Sequence, residues 1–309
     1  MTTFHPDLRA ARYIPRYTMG PRLTRLMRSG ELRLPPVPDD IIVEDVTAPG
    51  PDGAAPPVSL RIYRPRELVT PAPALFWTHG GGFIQGSPSQ DEVANIAFAR
   101  ELGITVVAAR YRLAPEHPFP AAIDDLYAGL TWLFGEAEAR GIDPARIAIG
   151  GASAGGGLTA ALALVAHDRG EVRPAFQLLV YPMLDDRTVL RTDIDHKPLR
   201  MWSPGSNRFG WASYLGRRPG SPDVSPYAAP ARRDDLSGLP PAWIGVGTLD
   251  LFHDEDLEYA RRLEDRGVPC EVHIVEGAFH GFDAVFRKAG VTRAFWEEQS
   301  RALRAALFG

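Results

Sequence analysis

From residue 41 onward the chain alternates between short apolar runs and longer stretches in which polar positions recur. Ile41–Thr47 and Val58–Tyr63 read as strands, and the Pro-, Gly- and Asp-rich turn between them suits an antiparallel pair. Further strands are expected at Ala74–Thr78, Ile104–Ala109, Arg146–Gly150, Phe176–Tyr181, Trp243–Val246 and Glu271–Val275. Most of these lack polar alternation, as strands covered on both faces do. Between them, Gln90–Leu102, Ala121–Ala139, Ser153–Asp168, Asp254–Arg266 and Thr292–Ala306 read as helices, with Gly103, Gly141 and Gly267 at stop positions. Strand–helix–strand repetition implies parallel pairing through right-handed crossovers. The expected fold is therefore α/β, with an eight-stranded, mostly parallel sheet flanked by helices.

Two regions depart from this rhythm. Residues 183–240 are rich in Pro, Gly, Ser and Asp, and a structureless loop of that length is improbable. We read them as an insertion with short helices of its own, Asn207–Gly216 foremost. Residues 1–40 carry Arg9, Arg12, Arg16, Arg22, Arg25, Arg28 and Arg33, with only Asp7 and Glu31 as acids before Asp39 and Asp40 at their end. An Arg-rich, acid-poor start can be a transit peptide. Pro15 and Pro21 would break its amphipathic helix, which favours a pair of short helices lying over the fold. The main body then spans 41–182 and 241–309.

Composition narrows the class. The 309 residues are 45% hydrophobic and 23% charged with a net charge of −4, an ordinary globular profile without a nucleic-acid footprint. The longest apolar stretch, Leu158–Ala166, is far short of the roughly 20 residues a bilayer span needs. With no apolar leader at the start, the expectation is a cytoplasmic protein. Cys270 is the single cysteine, so no disulfide framework exists; inside an expected strand it reads as core packing rather than a reactive thiol.

The candidate chemistry begins at Gly151-Ala152-Ser153-Ala154-Gly155, between a strand and an Ala/Leu-rich helix. That is the context of a nucleophile elbow, in which a strained turn presents a serine Oγ at the sheet's edge. A dinucleotide fingerprint fails because Ala152 stands at its second Gly position; a P-loop fails because no Lys precedes Lys197. His79-Gly80-Gly81-Gly82-Phe83 follows the third strand, where a glycine run can aim backbone N–H groups into a cavity as an oxyanion hole. For the base, His5, His117, His167, His196 and His273 fall in the arm, a Pro-rich turn, a helix end, the insertion and a strand. His280 lies just past the last strand, where α/β folds place ligand groups. For the acid, Asp250 precedes a helix and can point inward, whereas Asp254, Glu255 and Asp256 fit that helix's first turn and its dipole.

These blocks, with Tyr111-Arg112-Leu113-Ala114-Pro115-Glu116-His117-Pro118, fall in the order and spacing of one family. The chain resembles the hormone-sensitive-lipase-like, bacterial family IV carboxylesterases of the α/β-hydrolase fold over roughly residues 60–290. The resemblance implies Ser153 as nucleophile, Asp250 as acid and His280 as base, with the N–H groups of Gly81, Gly82 and Ala154 as oxyanion donors. It further implies cleavage of a small-molecule ester without cofactor or metal, a helical cap built from the arm and the insertion, and a homodimer. Ala152 replaces the family's usual Asp, and Leu251-Phe252-His253 replaces its Pro-Leu-Arg; both bear on how the site is braced and on substrate preference. An amidase or deacetylase would use the same triad, and a non-catalytic receptor of this fold would have lost it. Phe83, Trp202, Phe209, Trp211 and Phe282 are candidates for the apolar pocket walls, the insertion aromatics equally for plain packing. Asp185, Asp186, Asp193, Asp195 and His196 match no metal-site spacing and read as a solvated loop.

Overall fold

The computed structural model describes residues 3–30, 34–51 and 55–309. Glu31 and Arg33 of the basic arm lie outside the described residues. Eight strands form one sheet: β1 (Ile41–Ala48), β2 (Val58–Pro65), β3 (Ala72–Thr78), β4 (Thr105–Ala109), β5 (Ile142–Ala152), β6 (Gln177–Val180), β7 (Ala242–Leu249) and β8 (Cys270–Phe279). Their order across the sheet is β1-β2-β4-β3-β5-β6-β7-β8. β1 pairs β2 and β2 pairs β4 antiparallel; every pairing from β4 to β8 is parallel.

The helices are α1 (Pro21–Ser29), α2 (Glu92–Leu102), α3 (Ala121–Glu136), α4 (Ala154–Arg169), α5 (Pro204–Leu215), α6 (His253–Asp265), α7 (Phe282–Val285) and α8 (Gly290–Phe308). Leucines of α3, α4 and α6 pack on one face of the sheet, Phe98 of α2 and Phe295 of α8 on the other. This double cover explains the unbroken apolar runs, because every residue of β3, β4 and β6 is buried. Each such Leu, Val, Ile or Phe contributes about 1.5–3 kcal/mol by leaving water. Left-handed Gly103, Gly141 and Gly170 end α2, the 3₁₀ turn after α3, and α4.

The element boundaries shift in places. β8 runs on to Phe279, four residues beyond the expected end, across Glu276 and Gly277, an exposed acid and a glycine at φ +71° that in sequence resemble a turn. β5 starts at Ile142, where the second contact with β3, Ala72 to Ile142, lies before a register shift. α7 was not expected at all, being a single turn. α4 is buried on all sides from Ala154 to Ala166, and its glycines permit that: a Cβ on Gly155 would collide with the Thr78 carbonyl oxygen.

The arm forms a 3₁₀ segment, Pro6–Tyr13, and then α1. Met19 N–H donates to Ser206 Oγ at 2.8 Å, and Arg200 Nε donates to the Ala11 carbonyl at 2.9 Å, so arm and insertion are tied together. Arg28 reaches the carbonyls of Ile84 and Ala114, both at 2.6 Å. The acidic patch of the insertion separates into ion pairs. Asp185 meets Arg187, Asp193 meets Arg191, and Asp186, fully buried rather than solvated, meets Arg232 and the Gly220 N–H. Among the described residues no group of His, Cys, Asp and Glu could hold a metal ion, and no helix is long and apolar enough to cross a membrane.

Candidate active site

The parallel strands deliver their carboxyl ends to one edge, and the chain's chemistry collects there. Ser153 follows β5 directly and caps α4 with φ +58° and ψ −122°, a backbone conformation that L-residues avoid. Such strain costs about 1–3 kcal/mol and is held only where the surroundings enforce it. Here the Ser153 N–H donates to the Val180 carbonyl at 2.9 Å, and its carbonyl accepts from Gly157 and Met183. The turn lifts Oγ to 2.8 Å from His280 Nε2.

His280 leaves β8, and its Nδ1 lies 2.8 Å from Asp250 Oδ2 beyond the end of β7. A carboxylate only accepts, so Nδ1 carries the proton and Nε2 is left to accept from the serine hydroxyl. Asp250 Oδ1 takes the Phe252 N–H at 3.0 Å, which fixes the carboxylate plane. Phe252 and Tyr181 meet the imidazole edge-on, with ring centroids 5.1 and 4.9 Å away. All three side chains are buried, Ser153 at 8% exposure. A relay of hydroxyl, imidazole and carboxylate in this order raises the nucleophilicity of the hydroxyl.

The glycine loop lies beside the serine. Gly81 and Gly82 adopt φ +119° and +61°, and neither N–H is taken by a main-chain carbonyl among the described residues. The Ala154 N–H opens α4, where helix amides lack an internal acceptor. His79 braces the loop: its ring stacks on Tyr111 at 4.3 Å, and Nδ1 lies 2.8 Å from the Gly80 carbonyl. Burial pushes its pKa down to about 4, so it stays a neutral donor.

A cavity of about 260 Å³ opens over Ser153 and His280. Its walls come from the loop Gly80–Gly82, from Tyr17 and Met19 of the arm, and from Met201 and Trp202 of the insertion. Of the five residues named as pocket walls from the sequence, only Trp202 lines it. Phe83 turns under the loop at φ +66° and stacks on Tyr214 at 4.1 Å, with Trp211 at 5.1 Å. Phe282 packs on Phe295 at 5.1 Å, and Phe209 packs against the core. The large aromatics went where they lose most water, beneath the site rather than around it. Tyr181, which presses on His280, was not singled out in the sequence; its place at the carboxyl end of an apolar strand was the available signal.

A doubly covered, mostly parallel sheet whose strand ends carry a Ser–His–Asp relay defines a hydrolase-type α/β protein. A family model described as alpha/beta hydrolase fold matches residues 75–284. Esterase LipI of Mycobacterium tuberculosis is 35% identical over 291 residues, covering 91% of this chain and 88% of the relative. A solved bacterial heroin esterase superposes with a TM-score of 0.89 at 38% identity, over 99% of both chains. Esterase LipW from Mycobacterium marinum gives a TM-score of 0.79 at 38% identity, over 87% of this chain and 83% of that one. The chain belongs to the α/β-hydrolase family, in its hormone-sensitive-lipase-like branch.

Proposed function

We propose that this protein is a serine carboxylesterase acting on small esters through an acyl-Ser153 intermediate. The observation that carries the reading is the continuous line Ser153 Oγ, His280, Asp250, with 2.8 Å at each link. His280 Nε2 takes the hydroxyl proton as Oγ attacks the ester carbonyl. Asp250 stabilises the imidazolium that forms. The N–H groups of Gly81, Gly82 and Ala154 receive the oxyanion, each such donor being worth about 3 kcal/mol in the transition state. His280 then returns the proton to the departing alkoxide, and water repeats the sequence on the acyl-enzyme. The arm and residues 183–240 act as the cap, a role supported by Tyr17, Met19, Met201 and Trp202 at the cavity wall.

The test is Ser153→Ala with a short-chain nitrophenyl ester. Turnover should fall to background while circular dichroism and the unfolding midpoint stay those of the parent. Retained turnover, or failure of a phosphonate probe to label the parent at Ser153, overturns the assignment.

A further inference from the structure

Beside the catalytic cavity lies a second, smaller one of about 60 Å³, and Asp91, Ala152 and Tyr181 form part of both walls. Its polar lining is unusual. Asp91 Oδ2 accepts from Trp77 Nε1 at 2.9 Å. Asp283 accepts from the Tyr181 hydroxyl at 2.8 Å and from Trp296 Nε1 at 3.1 Å. These donors are neutral, as are the Gln90 side chain that also bonds Asp91 and the backbone N–H groups that bond Asp283, and neither carboxylate forms an ion pair among the described residues. Arg287 lines both cavities and its charge acts on Asp91, but the residue is exposed and donates through Nε to the Ala284 carbonyl at 3.2 Å. Burial raises both carboxyls, Asp91 to about 6, and for Asp91 it outweighs the opposing effect of Arg287.

A second observation points to a ligand. Gln299 also lines this cavity at 3% exposure, and its amide nitrogen has no hydrogen-bond partner. Buried polar groups are normally satisfied, so an unpaired donor beside two carboxylates that have hydrogen bonds but no ion-pair partner calls for a group carrying both positive charge and an acceptor. The rings of Trp77, Tyr181 and Trp296 supply the π faces that cations favour.

We propose that the side cavity holding Asp91 and Asp283 is a subsite for a protonated amine carried by the ester, so that cationic esters are preferred substrates. The inference rests on the reading of Ser153 as nucleophile. The amine enters through the shared wall at Tyr181 while the ester carbonyl sits at Ser153, and Gln299 is left to donate to an oxygen of the same molecule. An anionic substituent would meet two carboxylates there and is excluded from the subsite.

The experiment compares esters matched in shape. 2-(Dimethylamino)ethyl butanoate and 3-methylbutyl butanoate differ by a charge on the alcohol side; nitrophenyl 6-aminohexanoate and nitrophenyl heptanoate differ by one on the acyl side. At least one amine ester should exceed its neutral partner about tenfold in kcat/KM. Asp91→Asn, which keeps an acceptor for Trp77, should bring that ratio close to one. In the parent enzyme, propylammonium should also compete with 3-methylbutyl butanoate at concentrations where propanol does not, a measurement independent of how the variant folds. Ratios near one for both pairs, a ratio unmoved by Asp91→Asn in folded protein, or equal inhibition by propylammonium and propanol would overturn the subsite. Absence of turnover with every ester would instead overturn the esterase reading itself.

Discussion

Glu255 gives the sharpest test of how the insertion is held to the catalytic body. It lies in the first turn of α6, buried, five residues past Asp250. Its Oε1 accepts the N–H of Leu184 at 2.7 Å and of Asp185 at 3.1 Å, and Oε2 accepts the Thr188 hydroxyl. One side chain thus clasps the start of the segment that later supplies Met201 and Trp202 to the cavity. Glu255→Ala leaves two backbone donors without an acceptor, Leu184 being fully buried. Each orphaned buried donor costs about 1–3 kcal/mol. The Thr188 hydroxyl can rotate away, and removing a desolvated carboxyl returns part of the loss. The net expectation is a destabilisation of about 2–4 kcal/mol, a large share of the roughly 5–15 kcal/mol that holds a domain folded.

Urea unfolding followed by circular dichroism reads this as a lower midpoint at unchanged slope. Glu255→Gln separates the hydrogen bonds from the charge, since the amide keeps an acceptor for both N–H groups and resembles the protonated acid. Burial, with Asp185 close by, pushes the Glu255 carboxyl well above the ordinary range. For an acid raised in this way the native state binds the proton more tightly than the unfolded chain. Its contribution to stability is full below the ordinary pKa of about 4.3 and declines as pH rises toward the folded value. Parent and Glu255→Gln should therefore have similar midpoints near pH 4, with the variant gaining on the parent as pH increases. An Ala variant within about 0.5 kcal/mol of the parent, or a Gln variant as weak as the Ala one, would refute the clasp.

Other expectations are briefer. Asp250→Asn should lower kcat on a nitrophenyl ester by about 10³–10⁴ while leaving the unfolding midpoint in place, because the imidazole loses its tautomer and its counter-charge. Gly82→Ala should lose at least about tenfold in kcat/KM and about 1–3 kcal/mol of stability. The new Cβ would demand φ +61° of an L-residue and press into the Trp202 ring; parental activity would contradict the packing described. Burial pushes the Cys270 thiol up to about 12. An aromatic disulfide reagent at pH 8 should leave the native protein unlabelled and titrate one thiol in denaturant; prompt native labelling would place Cys270 at the surface.

The sheet and the relay were legible in the sequence for the same reason. Strands β3, β4 and β6 announce themselves as apolar runs because both faces are covered, Ser153 and Asp250 follow the buried runs of β5 and β7 within a few residues, and His280 follows the partly exposed edge strand β8 directly. A chemical group one short loop beyond a strand inherits the strand's predictability. β8 is expected to end at Val275 because Glu276 and the left-handed Gly277 interrupt it, although Gly277, Ala278 and Phe279 beyond them are buried and still in the strand.

The pocket obeys a different rule. Its walls join residues 17–19, 80–82 and 201–202, three segments with no common period, so no one-dimensional pattern could mark them. Reading aromatics as walls failed for Phe83 and Phe282 because a ring's gain from burial is larger in the core than at a wet cavity. The acidic run after Asp250 shows the limit most clearly. Asp254, Glu255 and Asp256 do occupy the first turn of α6, as a favourable dipole interaction suggests. Successive residues on a helix nevertheless turn about 100° apart, so only some of the three can face water. Asp254 does, pairing with Arg191 and His253, while Glu255 and Asp256 face inward, and burial raises both of their carboxyls. The dipole is worth at most about 1 kcal/mol at a surface, too little to hold two acids in a core. What offsets the cost for Glu255 is the set of donors from residues 184–188. Those donors come from the insertion, so what keeps this acid in place is tertiary contact that the sequence of the helix does not contain.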